Sequence, residues 1–128
     1  MRIRRLAGYP EGARHEAGSV MAALALGLLD SAHDRDLVLY LIGVHHGNGR
    51  PFFPVWDEDS SYRFLVESGG ASAEVTSGRE LARIDSGWVD RFWSLNRKYG
   101  YWGLAYLEGI LRRADCMRSR WEERHGSN

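Results

Sequence analysis

The chain has 128 residues, 17 acidic and 17 basic side chains, and 44% hydrophobic residues. That length suits one domain with a real core and argues against two, while the zero net charge removes any overall electrostatic case for nucleic acid. The single cysteine, Cys116, excludes an internal disulfide and fits a reducing, cytoplasmic setting.

The first helix is predicted over 13 to 32, where Ala17, Val20, Met21, Leu24 and Leu28 recur at helical spacing. Its apolar part, 20 to 29, is too short to span a bilayer and lacks the short basic lead of a signal peptide, so no membrane is expected. A second helix is predicted over 35 to 46, opened by Asp34 and Asp36 and delivering His45 and His46 at its end, with Gly47 placed to cap it.

Residues 47 to 86 form an irregular insertion with a β-hairpin expected from Tyr62 to Glu67 and from Ala73 to Thr76, around Gly69-Gly70. Asp85-Ser86 resembles a helix cap, and Trp88, Phe92, Trp93 and Leu95 make the stripe of a third helix over 86 to 98. Tyr99-Gly100 breaks it. A final helix is expected over 101 to 121, with the tail from Glu122 to Asn128 fraying.

Local charge is uneven. Arg2, Arg4 and Arg5 cluster near one end, and Arg112, Arg113, Arg118, Arg120 and Arg124 near the other; a solvated face accounts for these first. Lys98 is the sole lysine, a bias that suits bidentate phosphate contacts but also follows from a GC-rich genome. The five tryptophans are expected in the core before they are expected as base-stacking platforms.

The chemistry concentrates at His45-His46-Gly47-Asn48-Gly49-Arg50-Pro51. Neutral imidazole is the commonest side-chain metal ligand, and the guanidinium of Arg50 would sit close to whatever the metal holds, a phosphate being the natural partner. Two pieces flank it: Arg14-His15-Glu16, and Tyr101-Trp102-Gly103-Leu104-Ala105-Tyr106-Leu107-Glu108 leading to Leu111-Arg112-Arg113-Ala114-Asp115. This is neither zinc-finger nor protease spacing. An aspartate among apolar neighbours needs a partner, and for Asp115 that is a metal, Arg112 or Arg118.

In their order and spelling the three motifs resemble the HD-type nuclease domain of the type I CRISPR interference machinery, over about residues 13 to 120. The resemblance implies an all-α, HD-domain-like helical bundle carrying the irregular or hairpin insertion, as one domain over 1 to 128. It implies His15, His45, His46 and Asp115 as metal ligands, with Ser119 near the site and Arg50 on a backbone phosphate. The activity implied is metal-dependent hydrolysis of phosphodiesters in single-stranded DNA, in antiviral defence. Such ligands suit manganese, iron, cobalt or nickel. A CRISPR helicase and surveillance complex are the implied partners.

The chain departs from the family in three ways. Cys116 replaces the histidine usual after the closing aspartate. The family's leading histidine and its His-Asp doublet should precede His15, yet the fourteen residues before it contain neither histidine nor aspartate. His33-Asp34 lies on the wrong side of His15 and suits a helix cap. The expectation is therefore a domain lacking its first helices, with most of one metal site and a fragment of a second. The doublet aspartate normally bridges two ions about 3.5 to 4 Å apart. The missing ligands are then either supplied by a second chain or lost. The other reading is a non-catalytic accessory or remnant module that binds nucleic acid or an effector partner.

Overall fold

A computed structural model describes residues 2–4, 15–45, 50–52, 63–76 and 81–126. The order is β1 (Arg2–Arg4), α1 (His15–Ala25), α2 (Arg35–Val44), β2 (Arg63–Ser68), β3 (Ala71–Thr76), α3 (Trp88–Tyr99) and α4 (Tyr101–His125). The protein is mostly helical with a small antiparallel hairpin, as its periodicities predict. The hairpin pairs Arg63 with Thr76 through Ser68 with Ala71, so its strands extend slightly beyond the sequence bounds at the turn. β1 adds antiparallel to β2, Ile3 opposite Val66. Nothing in the sequence signals this strand, because three residues are too few to show a period of two.

α1 ends seven residues before its predicted limit. Leu28 N–H bonds to Ala23 O at 3.2 Å and Gly27 N–H to Leu24 O at 3.2 Å, and Gly27 has φ 61°. These are the paired bonds of a Schellman stop, which needs a left-handed residue at the position of Gly27. Leu28 keeps apolar spacing across the stop, which is why periodicity alone overran it. Leu24 and Leu28, expected in the core, are exposed, and Leu29 is buried instead.

The α2 start follows its sequence signals. Asp34 Oδ1 accepts from Leu37 N–H at 3.0 Å, so the His33-Asp34 pair serves as a cap. The same carboxylate accepts from Lys98 Nζ and the Tyr99 hydroxyl, each at 2.5 Å, at the far end of α3. Asp36 meets Arg91 Nε at 2.8 Å, and Tyr40 stacks on Trp88 with ring centroids 6.1 Å apart. α3 therefore runs back along α2. Gly100, at φ 74° and ψ 161°, reverses the chain alone, a conformation open essentially to glycine only. α4 consequently advances in the same direction as α2, starting beside Asp34 and reaching Tyr40 at Glu108.

Two clusters make the core. Val20, Ala23, Leu39, Tyr40, Val44, Trp88, Leu95 and Leu104 join the four helices. Ala22 seats on Val66 and Val75 of the hairpin, so α1 lies between the helices and the sheet. Of the described tryptophans only Trp88 is core; Trp93, Trp102 and Trp121 are exposed, against expectation. Trp102 lies about 200° around α4 from buried Leu104, and the length of α4 explains Trp121. α4 continues to His125 in place of the fraying expected from Glu122, and from Arg112 onward every described residue is exposed. Arg118 bonds to Glu122 one turn on at 2.5 Å, and Trp121 stacks on His125 at 4.7 Å, contacts that favour continued helix.

No helix among the described residues is long and apolar enough to cross a membrane.

Candidate functional site

The centre of the site is a polar contact in an otherwise apolar seam. The Tyr40 hydroxyl donates to Glu108 Oε1 at 2.5 Å, and Arg50 Nη1 lies 3.1 Å from Glu108 Oε2. Tyr40 is fully buried and the Glu108 side chain nearly so, at 11% exposure. Both carboxylate oxygens therefore have strong donors, which a nearly buried carboxylate needs. Burial first, then the Glu108 carboxylate, pushes the Tyr40 phenol far above its ordinary range, with Arg50 pulling weakly the other way. Tyr40 is a permanent donor.

This contact unites two of the three motifs. Arg50 closes the paired-histidine motif and Glu108 sits within the aromatic motif of α4. Neither Tyr40 nor Glu108 was assigned a role from sequence, although an acid inside Leu104-Ala105-Tyr106-Leu107-Glu108-Gly109-Ile110-Leu111 was a visible sign of a buried partner. Arg50 is not an isolated phosphate receptor. Its guanidinium is 41% exposed and already has a counter-charge, so an incoming phosphate must share it with Glu108.

His45 caps α2 at its C-terminal end. Its Nδ1 is 2.6 Å from Ile42 O, and since a carbonyl only accepts, the ring donates from Nδ1. A backbone carbonyl on the other nitrogen is the usual way a metal-binding imidazole is oriented. Because α2 and α4 run the same way, His45, five residues past Tyr40, and Asp115, seven past Glu108, lie toward the same end of the bundle. Their advances along the two axes are about 7.5 and about 10 Å.

Asp115 is exposed on the projecting part of α4, which corrects the expectation of an apolar pocket around it. Neither of its proposed arginine partners claims it: Arg118 pairs with Glu122, and Arg112 has no acidic partner among the described residues. Ser119 is exposed one turn further along. His15 is the first residue of α1, and its side chain, like the whole of His46, lies outside the described residues. Among the described residues no three metal-binding side chains converge. Of the four candidate ligands, the side chains of His45 and Asp115 are described, and neither belongs to such a group.

No known protein family, no curated protein and no solved structure matches the chain.

Proposed function

We propose that this chain is an HD-type domain acting in metal-dependent hydrolysis of phosphodiesters in single-stranded DNA. His15, His45, His46 and Asp115 would hold a divalent transition metal, which when bound supplies an activated water and a Lewis acid for the departing oxygen. The reading is supported by one observation above the others. Glu108 joins the paired-histidine motif, through Arg50, to the closing motif of α4, so segments that resemble one nuclease family when read in order are also in contact.

Within that reading the chain's own groups have separable tasks. The Ile42 carbonyl holds the proton of His45 on Nδ1 and fixes its ring plane. Tyr40 and Glu108 anchor Arg50, whose exposed edge can hold a backbone phosphate. Asp115 offers a carboxylate from a different helix, as a site assembled between bundle helices requires. No His-Asp pair stands between residue 1 and His15 in this sequence. A helicase, surveillance-complex subunit or other chain is proposed to contribute it.

Calorimetric titration with manganese, run beside cleavage of a labelled single-stranded oligonucleotide, tests this. The expected result is at most one weakly bound ion and little cleavage by the chain alone. A supplied segment with a histidine and a His-Asp doublet should restore cleavage, and His46→Ala or Asp115→Ala should remove it again. Robust cleavage by the unsupplemented chain that survives both substitutions would overturn the assignment.

A further inference from the structure

α4 carries a second surface that the metal site does not use. Trp102, Tyr106, Ile110, Arg113, Met117 and Trp121 follow one another at steps of three or four residues and form one continuous stripe. All are exposed, Trp102 at 89% and Tyr106 at 69%. Two residues along a helix is a rotation of about 200°, so Met117 and its stripe face away from Asp115.

The charges on this helix are sorted. Arg120 and Arg124 fall within the same stripe as Arg113, whereas Asp115, Glu122 and Glu123 fall outside it. Arg113, Arg120 and Arg124 have no acidic partner among the described residues, and the acid nearest the stripe's aromatic end, Glu108, is turned inward to Tyr40. A second copy of this face would oppose arginine to arginine. A polyanion would not.

We propose that the outward face of α4 binds single-stranded nucleic acid. Trp102 and Tyr106 offer free ring faces for unpaired bases, and Arg113, Arg120 and Arg124 track the phosphates between them. Trp121 is held by His125, stacked on it, and by Arg118, 5.3 Å from its ring centroid, which fixes the far end of the platform. From Trp102 to Arg124 the helix rises about 33 Å, room for several nucleotides. A duplex has its bases stacked on each other and offers these rings nothing to stack on. This surface is distinct from the metal end and needs no metal.

Fluorescence anisotropy of a labelled oligothymidylate about 20 nucleotides long, measured in EDTA over a series of salt concentrations, tests the proposal. The chain should bind, with affinity falling as salt rises. The pair Trp102→Ala and Tyr106→Ala should weaken binding about tenfold or more with the salt slope retained. Arg113→Glu with Arg120→Glu should weaken it at least as much and flatten the slope. Binding should be the same with and without EDTA, which separates this surface from the metal centre. Circular dichroism of each variant should match that of the parent chain. Absence of binding by the unsubstituted chain, equal loss from Arg97→Glu on α3, stronger binding of duplex, or self-association abolished by Trp102→Ala would each overturn the proposal.

Discussion

Tyr40 and Glu108, 68 residues apart in sequence, share a 2.5 Å hydrogen bond that fixes α4 against α2. The bond lies within the apolar packing that includes Leu39, Val44, Trp88 and Leu104. A phenol so buried cannot ionise in ordinary conditions, and a carboxylate so nearly buried requires the phenol. Each makes the other tolerable.

Removing one partner should therefore cost more than the bond itself contributes. Tyr40→Phe is expected to destabilise the fold by about 1–2 kcal/mol by leaving a Glu108 oxygen short of a donor, and Glu108→Ala by more, since Tyr40 and Arg50 are then both stranded. Denaturant unfolding measures both. The phenol is raised on folding from 10.0, so its stabilising contribution is complete below that value and is lost as pH rises above it. Unfolding midpoints should fall above pH 10 in the parent chain, and less so in Tyr40→Phe.

Asp34 gives the opposite dependence. Lys98, Tyr99 and the Leu37 amide hold its carboxyl down, from 3.8 to about 2, against a smaller opposing effect of burial. A carboxyl depressed on folding stabilises above its unfolded value, and that stability disappears as pH falls from near 4 toward 2. Asp34→Ala should cost about 1–2 kcal/mol near neutrality through loss of the cap. Asp34→Asn should keep the cap and lose the attraction to Lys98, so its acid unfolding curve should be flatter than the parent's.

These clamps show what the sequence could and could not disclose. Asp34 was legible as a cap because capping depends on a residue and its next three neighbours, and the Gly69-Gly70 hairpin was legible because turn chemistry is equally local. The second duty of Asp34 toward Lys98 and Tyr99 was not, since it depends on how α3 returns along α2. Gly27 was available as a stop signal and lost to the stronger apolar period around it. The exposed tryptophans differ from expectation for a related reason: composition says that Trp102 and Trp121 are apolar, and only the packing says that Trp102 lies opposite buried Leu104 on α4 and that Trp121 lies on the exposed part of the helix beyond Leu111. Glu108, the acid that pairs with Arg50, was not legible, since that contact depends on how α4 lies against the segment after α2.

Gly100→Ala should be among the most damaging single changes in the chain. At φ 74° and ψ 161° a Cβ is strained even though nothing lies within 4 Å of it, and the Gly100 amide must still reach Asn96 O at 2.8 Å. A penalty of about 1–3 kcal/mol is expected, set by backbone strain and not by collision. Gly109→Ala, in open space on the same helix, is the control: it should stabilise by up to about 1 kcal/mol. Thermal unfolding of the two variants separates conformation from crowding.

The last prediction concerns Arg50. Its pairing with Glu108 at 3.1 Å means that a phosphate binding there competes with a carboxylate already in place. Glu108→Gln removes that competing charge, while the amide oxygen can still accept from Tyr40, so the seam is preserved. Oligonucleotide affinity attributable to Arg50 should rise in Glu108→Gln and fall in Arg50→Ala, and the double variant should match Arg50→Ala. Each phosphate that the protein neutralises also steepens the dependence of affinity on salt by about one in the logarithmic slope. The measurement is best made with Trp102 and Tyr106 both replaced by alanine, so that the α4 face contributes little and the end of the bundle near His45 is read alone. An unchanged affinity and slope in Glu108→Gln, with Arg50→Ala equally silent, would mean that Arg50 serves only to neutralise Glu108.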